Sequence, residues 1–364
     1  MKRELIPKHI QKIIPYLPGK PLSEVERELG LKGVIKLASN ENPLGPSPLA
    51  IEAIKKHINE VNFYPDDGEY YLRQKLASIL NLPMEQIIIG NGTTEILDVI
   101  ARTFLSPEDY AIIYDQTFII YRLVVQAVNG NLITIPLKNY TYDLPAMAKA
   151  ITPHTKLIYI ANPNNPTGTM VTGEELDRFL NYIPEDIVVA VDEAYYEYIE
   201  DPAYPDSLKY VREGRPVIVL RTFSKIYGLA GLRIGYAIAT EELIRCLNKV
   251  KCPFNTNHCA QVGAMAALDD QDFINKGRKT NREGYQFLTE ELKKLKVEFI
   301  PSVGNFILLI LREDPYKVYQ ELLRRGVIVR PMKEWNIPQG LRVTIGTPQQ
   351  NIRFIKALKE SLGQ

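Results

Sequence analysis

Cysteine is scarce, with only Cys246, Cys252 and Cys259 in 364 residues. An odd number with no Cys-x-x-Cys pair excludes a disulfide framework and a zinc ribbon. Histidine is limited to His9, His57, His154 and His258, none in a His-Glu-x-x-His arrangement. Cys252, His258 and Cys259 lie close in the chain, but they read as packing residues, and no metal is expected. Charge of one sign is also missing: 44 Lys and Arg face 43 Asp and Glu, a net of +1. That excludes a globally basic nucleic-acid binder and an acidic tail. The longest apolar run, Phe306 to Leu311, is far short of the ~20 residues a spanning helix needs. Met1-Lys2-Arg3 is followed by Pro7, Lys8, Gln11, Lys12 and Pro15 rather than an apolar stretch, so no signal peptide is read there. Neither Gly-x-Gly-x-x-Gly nor a P-loop occurs, which removes the usual nucleotide cradles. The expectation is a cytoplasmic protein in a reducing compartment, with no membrane and no nucleic-acid partner.

What is present is ordinary globular composition, 45% hydrophobic and 24% charged. A chain of this length suggests two domains at ~100–200 residues each. Residues 1–35, with Pro7, Pro15, Pro18, Pro21 and a short helical piece at Leu22–Leu29, read as an arm packing with a smaller domain. Residues 36–250 read as a large domain. Within it, apolar runs at Ile87–Ile89, Ala111–Tyr114, Leu157–Ile160, Ile187–Val191, Val217–Leu220 and Ile234–Ala239 alternate with helical segments. Those segments are Ile96–Leu105, Ile119–Val128, Glu174–Tyr182 and Glu241–Val250. Thr172 and Glu175 form a capping-box signal before the third. Short buried strands separated by helices predict an α/β domain with a mostly parallel central sheet. Residues 251–364 read as a smaller α+β domain: a long helix at about Asp272–Lys296, strands at Val297–Ile300, Phe306–Leu311, Val327–Arg330 and Leu341–Ile345, a helix at Pro315–Arg325 and a last helix.

In an open parallel sheet, ligands bind beyond the carboxyl ends of the strands. The residues there are Gly90 to Glu95, Asn162 to Gly168, Asp192 to Tyr195, and Thr222 to Lys225. Backbone N–H groups at Gly92–Thr94 could hold a phosphate, although a plain strand-to-helix turn reads the same. Asp192 closes a very apolar strand and needs a cationic or N–H partner. A helix cap, an ion pair or the pyridine nitrogen of pyridoxal phosphate would each serve. Lys225 is either a solvated surface charge or an amine in a closed cleft, whose lowered pKa lets it form a Schiff base. Thr222 and Ser224 alternate with it, and Arg233 could return to the same anion. The order of these elements in one α/β domain is far more specific than any one of them.

With these motifs on the page, the chain resembles fold-type I aminotransferases dependent on pyridoxal 5′-phosphate, from about Ile35 to the C-terminus. The resemblance implies that Lys225 carries the cofactor and shuttles the proton. It assigns Asp192 to the ring nitrogen, Tyr195 and Asn165 to the ring's 3-oxygen, and Phe118 to the ring face. Gly92, Thr93, Thr94, Thr222, Ser224 and Arg233 would form the phosphate cup. Within that superfamily the chain is most similar to histidinol-phosphate aminotransferases. The likeness is carried by Pro15 to Pro21 with Glu24 to Gly30, by Leu37 to Pro46 (including Asn40) with Asn62 to Asp66, and by Val329-Arg330-Pro331 with Leu341 to Gly346. It implies a homodimer in which Tyr64 reaches the neighbouring subunit's cofactor phosphate. Tyr16, Asn40, Arg330 and Arg342 would bind substrate, with Arg342 also taking the α-carboxylate of glutamate. The implied reaction exchanges an amino group between histidinol phosphate and 2-oxoglutarate. An aromatic amino-acid aminotransferase and a phosphothreonine decarboxylase share the cofactor residues and stand as alternatives. The chain departs from the family pattern at Thr93-Thr94, where Ser-Asp or Ala-Asp is common, and at Phe118, where Tyr is common. The Met332–Gln339 loop holds the single tryptophan, Trp335, with no role assigned.

Overall fold

The computed structural model describes residues 5–363. Its central sheet has seven strands in the order Ile87–Gly90, Gly235–Ile238, Val217–Thr222, Val188–Asp192, Thr155–Ala161, Tyr110–Tyr114 and Asn131–Ile135. Gly235–Ile238 runs antiparallel to both neighbours, and the remaining pairs are parallel. Every residue of Val188–Asp192 and Val217–Thr222 is buried. That is why these strands read as unbroken apolar runs rather than alternating ones: both faces of the sheet are covered. The covering helices include Thr93–Phe104, Ile120–Ala127, Gly173–Tyr182 and Glu241–Asn248. At the third, Glu175 N–H donates to Thr172 Oγ1 at 3.3 Å and Thr172 N–H donates to Glu175 Oε2 at 2.8 Å. The capping box read from sequence is therefore formed.

Some elements carry no such signal. The edge strand Asn131–Ile135 is mostly half-buried and includes Asn131 and Thr134, so no apolar run marks it. Helices Pro48–His57, Tyr70–Leu80 and His258–Asp269 were also unforeseen. The last is rich in alanine and packs on the other two.

A second core gathers Leu288, Leu292, Ile307, Leu309, Leu341, Val343 and Phe354. It lies on a four-stranded antiparallel sheet in the order Arg330–Pro331, Gly340–Thr344, Phe306–Ile310 and Glu298–Ile300. The expected division at residue 251 is not where the two cores separate. Ala260, Ala264, Ala267 and Ile274 belong to the larger core, because His258–Asp269 is needed to cover Pro48–His57. The change of core falls inside the helix Gln271–Lys294. Leu37 already belongs to the smaller core. The single strand expected at Val327–Arg330 is two pieces. Val327–Ile328 pairs in parallel with Ile35–Lys36, and Arg330–Pro331 pairs antiparallel with Leu341 and Arg342. Of the N-terminal arm, residues 1–4 lie outside the described residues. Its helix Leu22–Leu29 buries Val25 against Val34, Ala38, Leu323 and Ile328.

Beside the ends of the two central strands sits a buried ion pair. Arg221 Nη2 and Glu193 Oε2 are 2.9 Å apart with side chains 5% and 0% exposed. The guanidinium stacks 3.6 Å from the centroid of Tyr196. Neighbouring Glu197 is pushed up to about 7 by burial, with Arg221 pulling the other way. Removing one partner of such a pair strands a charge in a low dielectric, whereas replacing both with apolar groups can be near neutral. Arg221→Met is expected to cost about 3–5 kcal/mol, read as a lower urea midpoint. The double change Arg221→Met with Glu193→Leu should recover most of it. Equal midpoints for wild type and Arg221→Met would contradict this.

Candidate active site

The strand Val217–Thr222 is buried, so the chain leaving its carboxyl end at Thr222-Phe223-Ser224 delivers Lys225 into the cleft between the two cores. Lys225 Nζ donates to the carbonyl of Ser39 at 3.2 Å and stands 5.6 Å from the centroid of Tyr195. Its pKa is lowered to about 8, first by burial and then by the positive charge of Arg342 and of Arg233; Glu41 and Asp192 oppose this. An amine that would be almost wholly protonated in water thus keeps a usable neutral fraction near neutral pH.

The next strand, Val188–Asp192, ends in a carboxylate that is 5% exposed. Tyr121 Oη donates to Asp192 Oδ2 at 2.8 Å, and Ala194 N–H donates to Oδ1 at 3.2 Å. Burial nonetheless raises Asp192 to about 6, against the pull of both hydrogen bonds and of Lys225. A buried carboxylate in that state gains from any cation placed against it. Tyr121 carried no signal in the sequence reading. Its position three residues after Phe118, at the start of the helix Ile120–Ala127, is the clue that could have found it. It stacks on Tyr159 with centroids 4.9 Å apart, which fixes the hydroxyl toward the strand ends.

Gly92 precedes the helix Thr93–Phe104 with φ +74°, and a Cβ there would lie 2.5 Å from Arg233 Nη2. The backbone therefore favours glycine, and any side chain there would displace the guanidinium. Arg233 Nη1 donates to Ser224 Oγ at 3.5 Å, and Ser224 N–H donates to Thr222 Oγ1 at 3.1 Å. These groups and the first N–H groups of the helix make an anion cradle.

Together they border a cavity of about 260 Å³ whose lining includes Thr93, Thr94, Phe118, Asn165, Asp192, Tyr195, Thr222, Ser224, Lys225 and Arg233. Ser39 and Glu41 line it too, though neither was singled out from sequence. A larger groove of about 710 Å³, between Lys138–Lys149 and the helix Gly173–Tyr182, contains none of the sequence-predicted residues. Chemistry rather than size picks the site.

Behind Tyr195 a second set of polar groups converges. Asn40 Nδ2 donates to Tyr195 Oη at 2.9 Å, and Asn40 N–H donates to Thr344 Oγ1 at 2.9 Å. Arg342 Nη1 donates to Asn165 Oδ1, and Nη2 donates to the carbonyl of Ala38 at 2.7 Å. Its buried Nε has no hydrogen-bond partner among the described residues. Arg342 faces Arg330 across the antiparallel pair. The Arg330 guanidinium lies 5.5 Å from the Tyr16 centroid and 5.0 Å from that of Trp335. It donates to the carbonyl of Leu17 at 2.5 Å and to Glu334 at 3.0 Å. The N-terminal arm, the small-domain sheet and the Trp335 loop thus meet on one guanidinium. Tyr64 is the exception among the predicted residues. It is 83% exposed and packs on Phe254 with centroids 4.8 Å apart, away from this chain's own cavity lining.

Comparison with known proteins adds to this geometry. Residues 32–358 match the family model described as aminotransferase class I and II. The histidinol-phosphate aminotransferase of Moorella thermoacetica is 50% identical over 354 residues, covering 97% of this chain and 92% of that protein. That of Caldicellulosiruptor saccharolyticus is 50% identical over 353 residues, covering 97% and 99%. Among solved structures, the histidinol-phosphate aminotransferase of Sinorhizobium meliloti in complex with pyridoxal-5′-phosphate superposes with a TM-score of 0.90. It is 26% identical, and the match covers 100% of this chain and 98% of that one. A family match spanning residues 32–358 and half-identity to relatives over nearly the whole chain show that the chain belongs to the class I and II aminotransferases.

Proposed function

We propose that this chain is a histidinol-phosphate aminotransferase, moving the amino group of histidinol phosphate to 2-oxoglutarate to give imidazole acetol phosphate and glutamate. The observation that carries the reading is the cross-strand pair Arg330 and Arg342, set beside Tyr16 next to a lysine-bearing cavity. Two guanidinium forks suit a doubly charged phosphate. The half-identity of the two curated relatives over nearly the whole chain supports the same substrate.

The residues fit pyridoxal phosphate. Asp192 is a buried carboxylate short of a cation, Gly92 leaves room where a side chain would collide, and Phe118 offers an aromatic wall. The bound cofactor supplies an electron sink for the carbanion formed at the substrate α-carbon. Asp192, fixed by Tyr121 and Ala194, holds its charge against the ring nitrogen. Tyr195 and Asn165 orient the ring through its 3-oxygen. Gly92, Thr93, Thr94, Ser224 and Arg233 hold the phosphate. Lys225, neutral in part because burial, Arg342 and Arg233 disfavour its charge, takes the proton from the substrate α-carbon. Arg342 serves the α-carboxylate of glutamate in one half of the reaction and the substrate phosphate, together with Arg330 and Tyr16, in the other.

We further propose a homodimer in which Tyr64 completes the neighbouring site. Its support is the packed pair Tyr64 and Phe254, rings 4.8 Å apart that are left 83% and 48% exposed on this chain alone. The three free cysteines suit a reducing compartment such as the cytoplasm.

Capture of pyridoxal phosphate by the cofactor-free protein should accelerate as pH rises through about 8, where Lys225 loses its proton. Arg342→Met, by removing a neighbouring cation, should move that midpoint upward. A wild-type midpoint near the free-lysine value of ~10.4, in stopped-flow absorbance, would refute the assignment. Arg330→Met should lower kcat/KM for histidinol phosphate by roughly tenfold to a hundredfold, the worth of a charged hydrogen bond. Phenylalanine turnover should barely change. Equal losses on both would favour the aromatic aminotransferase, and carbon dioxide release from phosphothreonine would identify the decarboxylase. Lys225→Ala should abolish turnover, and Tyr64→Phe should weaken cofactor binding by about tenfold. Hybrid dimers of the two variants should regain one intact site, and failure to do so would place Tyr64 outside the partner's site.

A further inference from the structure

Outside the cleft, two imidazoles and a carboxylate meet at the junction of two packed helices. His57 closes the helix Pro48–His57, Glu60 lies in the single helical turn that follows, and His258 opens the helix His258–Asp269. Glu60 stands between the rings, with Oε1 3.0 Å from His57 Nδ1 and Oε2 3.2 Å from His258 Nε2. The imidazoles are edge to face with centroids 5.9 Å apart. A His57–Glu60 contact alone would be a local surface pair. The third group comes from a distant part of the chain, and His258 Nε2 is buried without a well-formed hydrogen bond despite its nearness to Glu60. The two helices form a close frame: a Cβ on Gly263 would sit 3.1 Å from Ile54 Cδ1.

We infer that His57, Glu60 and His258 form a site for a first-row divalent cation of the zinc or cobalt type. One ligand atom from each residue lies within 4.8 Å of the others. Donors bonded to zinc at ~2.0–2.1 Å in a tetrahedron stand roughly 3.3 Å apart, so rotamer shifts of about 1 Å bring these three into place. His57 and His258 retain 34% and 24% side-chain exposure and Glu60 51%, which permits that adjustment and leaves a fourth position for water. Two imidazoles and one carboxylate suit zinc-like ions better than calcium or magnesium, which take oxygen ligands. The cation would pin two helices of the large domain to each other. This reading is independent of the substrate assigned to the cleft.

The test is titration of the cofactor-loaded protein with Co²⁺, followed by the visible absorption of four-coordinate cobalt, and with Zn²⁺ by calorimetry. One equivalent per chain is expected. His57→Gln, at a half-exposed helix end, and Glu60→Gln should each weaken binding about tenfold or more, and His258→Ala should abolish it. Cofactor absorption and transamination should be unchanged in all three. Absence of stoichiometric uptake by the wild type, or uptake equal in wild type and His57→Gln, would overturn the site.

Discussion

A carboxylate at the end of one strand and an amine three residues past the end of its neighbour govern the rest of this structure. Burial moves both Lys225 and Asp192 toward their neutral forms. The groups around them tune that effect: Tyr121 and Ala194 hold the charged form of Asp192 against burial, while Arg342 and Arg233 add to burial at Lys225. Those groups come from a helix and loops around the central sheet and from the small-domain sheet. The position of the lysine's proton therefore depends on both cores being assembled. The ion pair Arg221–Glu193 extends the same logic to the buried residues directly before Thr222 and after Asp192.

The small domain contributes in a different way. Its four-stranded sheet sets Arg330 opposite Arg342, and like charges placed so are unfavourable unless other groups hold them. Arg342 is tied to Ala38 and Asn165, while Arg330 is enclosed by Tyr16 and Trp335 and bonded to Leu17 and Glu334. Trp335, unassigned from sequence, is thus one wall of the box around Arg330. The N-terminal arm is the other, and neither is contiguous in sequence with the residue it encloses.

Where burial and backbone chemistry coincide, the chain is legible from its letters. The two fully buried central strands, the capping box at Thr172 and the residues following each strand end all announce themselves. Asp192, Thr222, Ser224 and Lys225 were placed by that topological argument before any likeness was invoked. The fine division of roles came from the resemblance, since Asn165 and Tyr195 look like ordinary loop residues on their own. Elements whose reason lies in tertiary contact were not legible. The half-buried strand Asn131–Ile135 has no apolar run, and the alanine-rich helix His258–Asp269 has no strong polar face to reveal which core it serves. Tyr121 and the meeting of His57 with His258 depend on approaches that spacing cannot display.

The pairing of Arg330 with Arg342 has one more consequence. Side chains alternate across a strand, so a slip of one residue in this ladder would send Arg342 to the opposite face of the sheet. The connection between the two arginines, from Met332 to Gln339, holds that register through Met332 N–H donating to the Gly340 carbonyl at 3.0 Å and Gly340 N–H donating to the Ile337 carbonyl at 2.9 Å. Loop length is therefore part of what sets the two arginines opposite each other. A single-residue insertion or deletion there would set this short connection against the register that Phe306–Ile310 imposes on Gly340–Thr344, and Arg330 rather than Arg342 would lose its place.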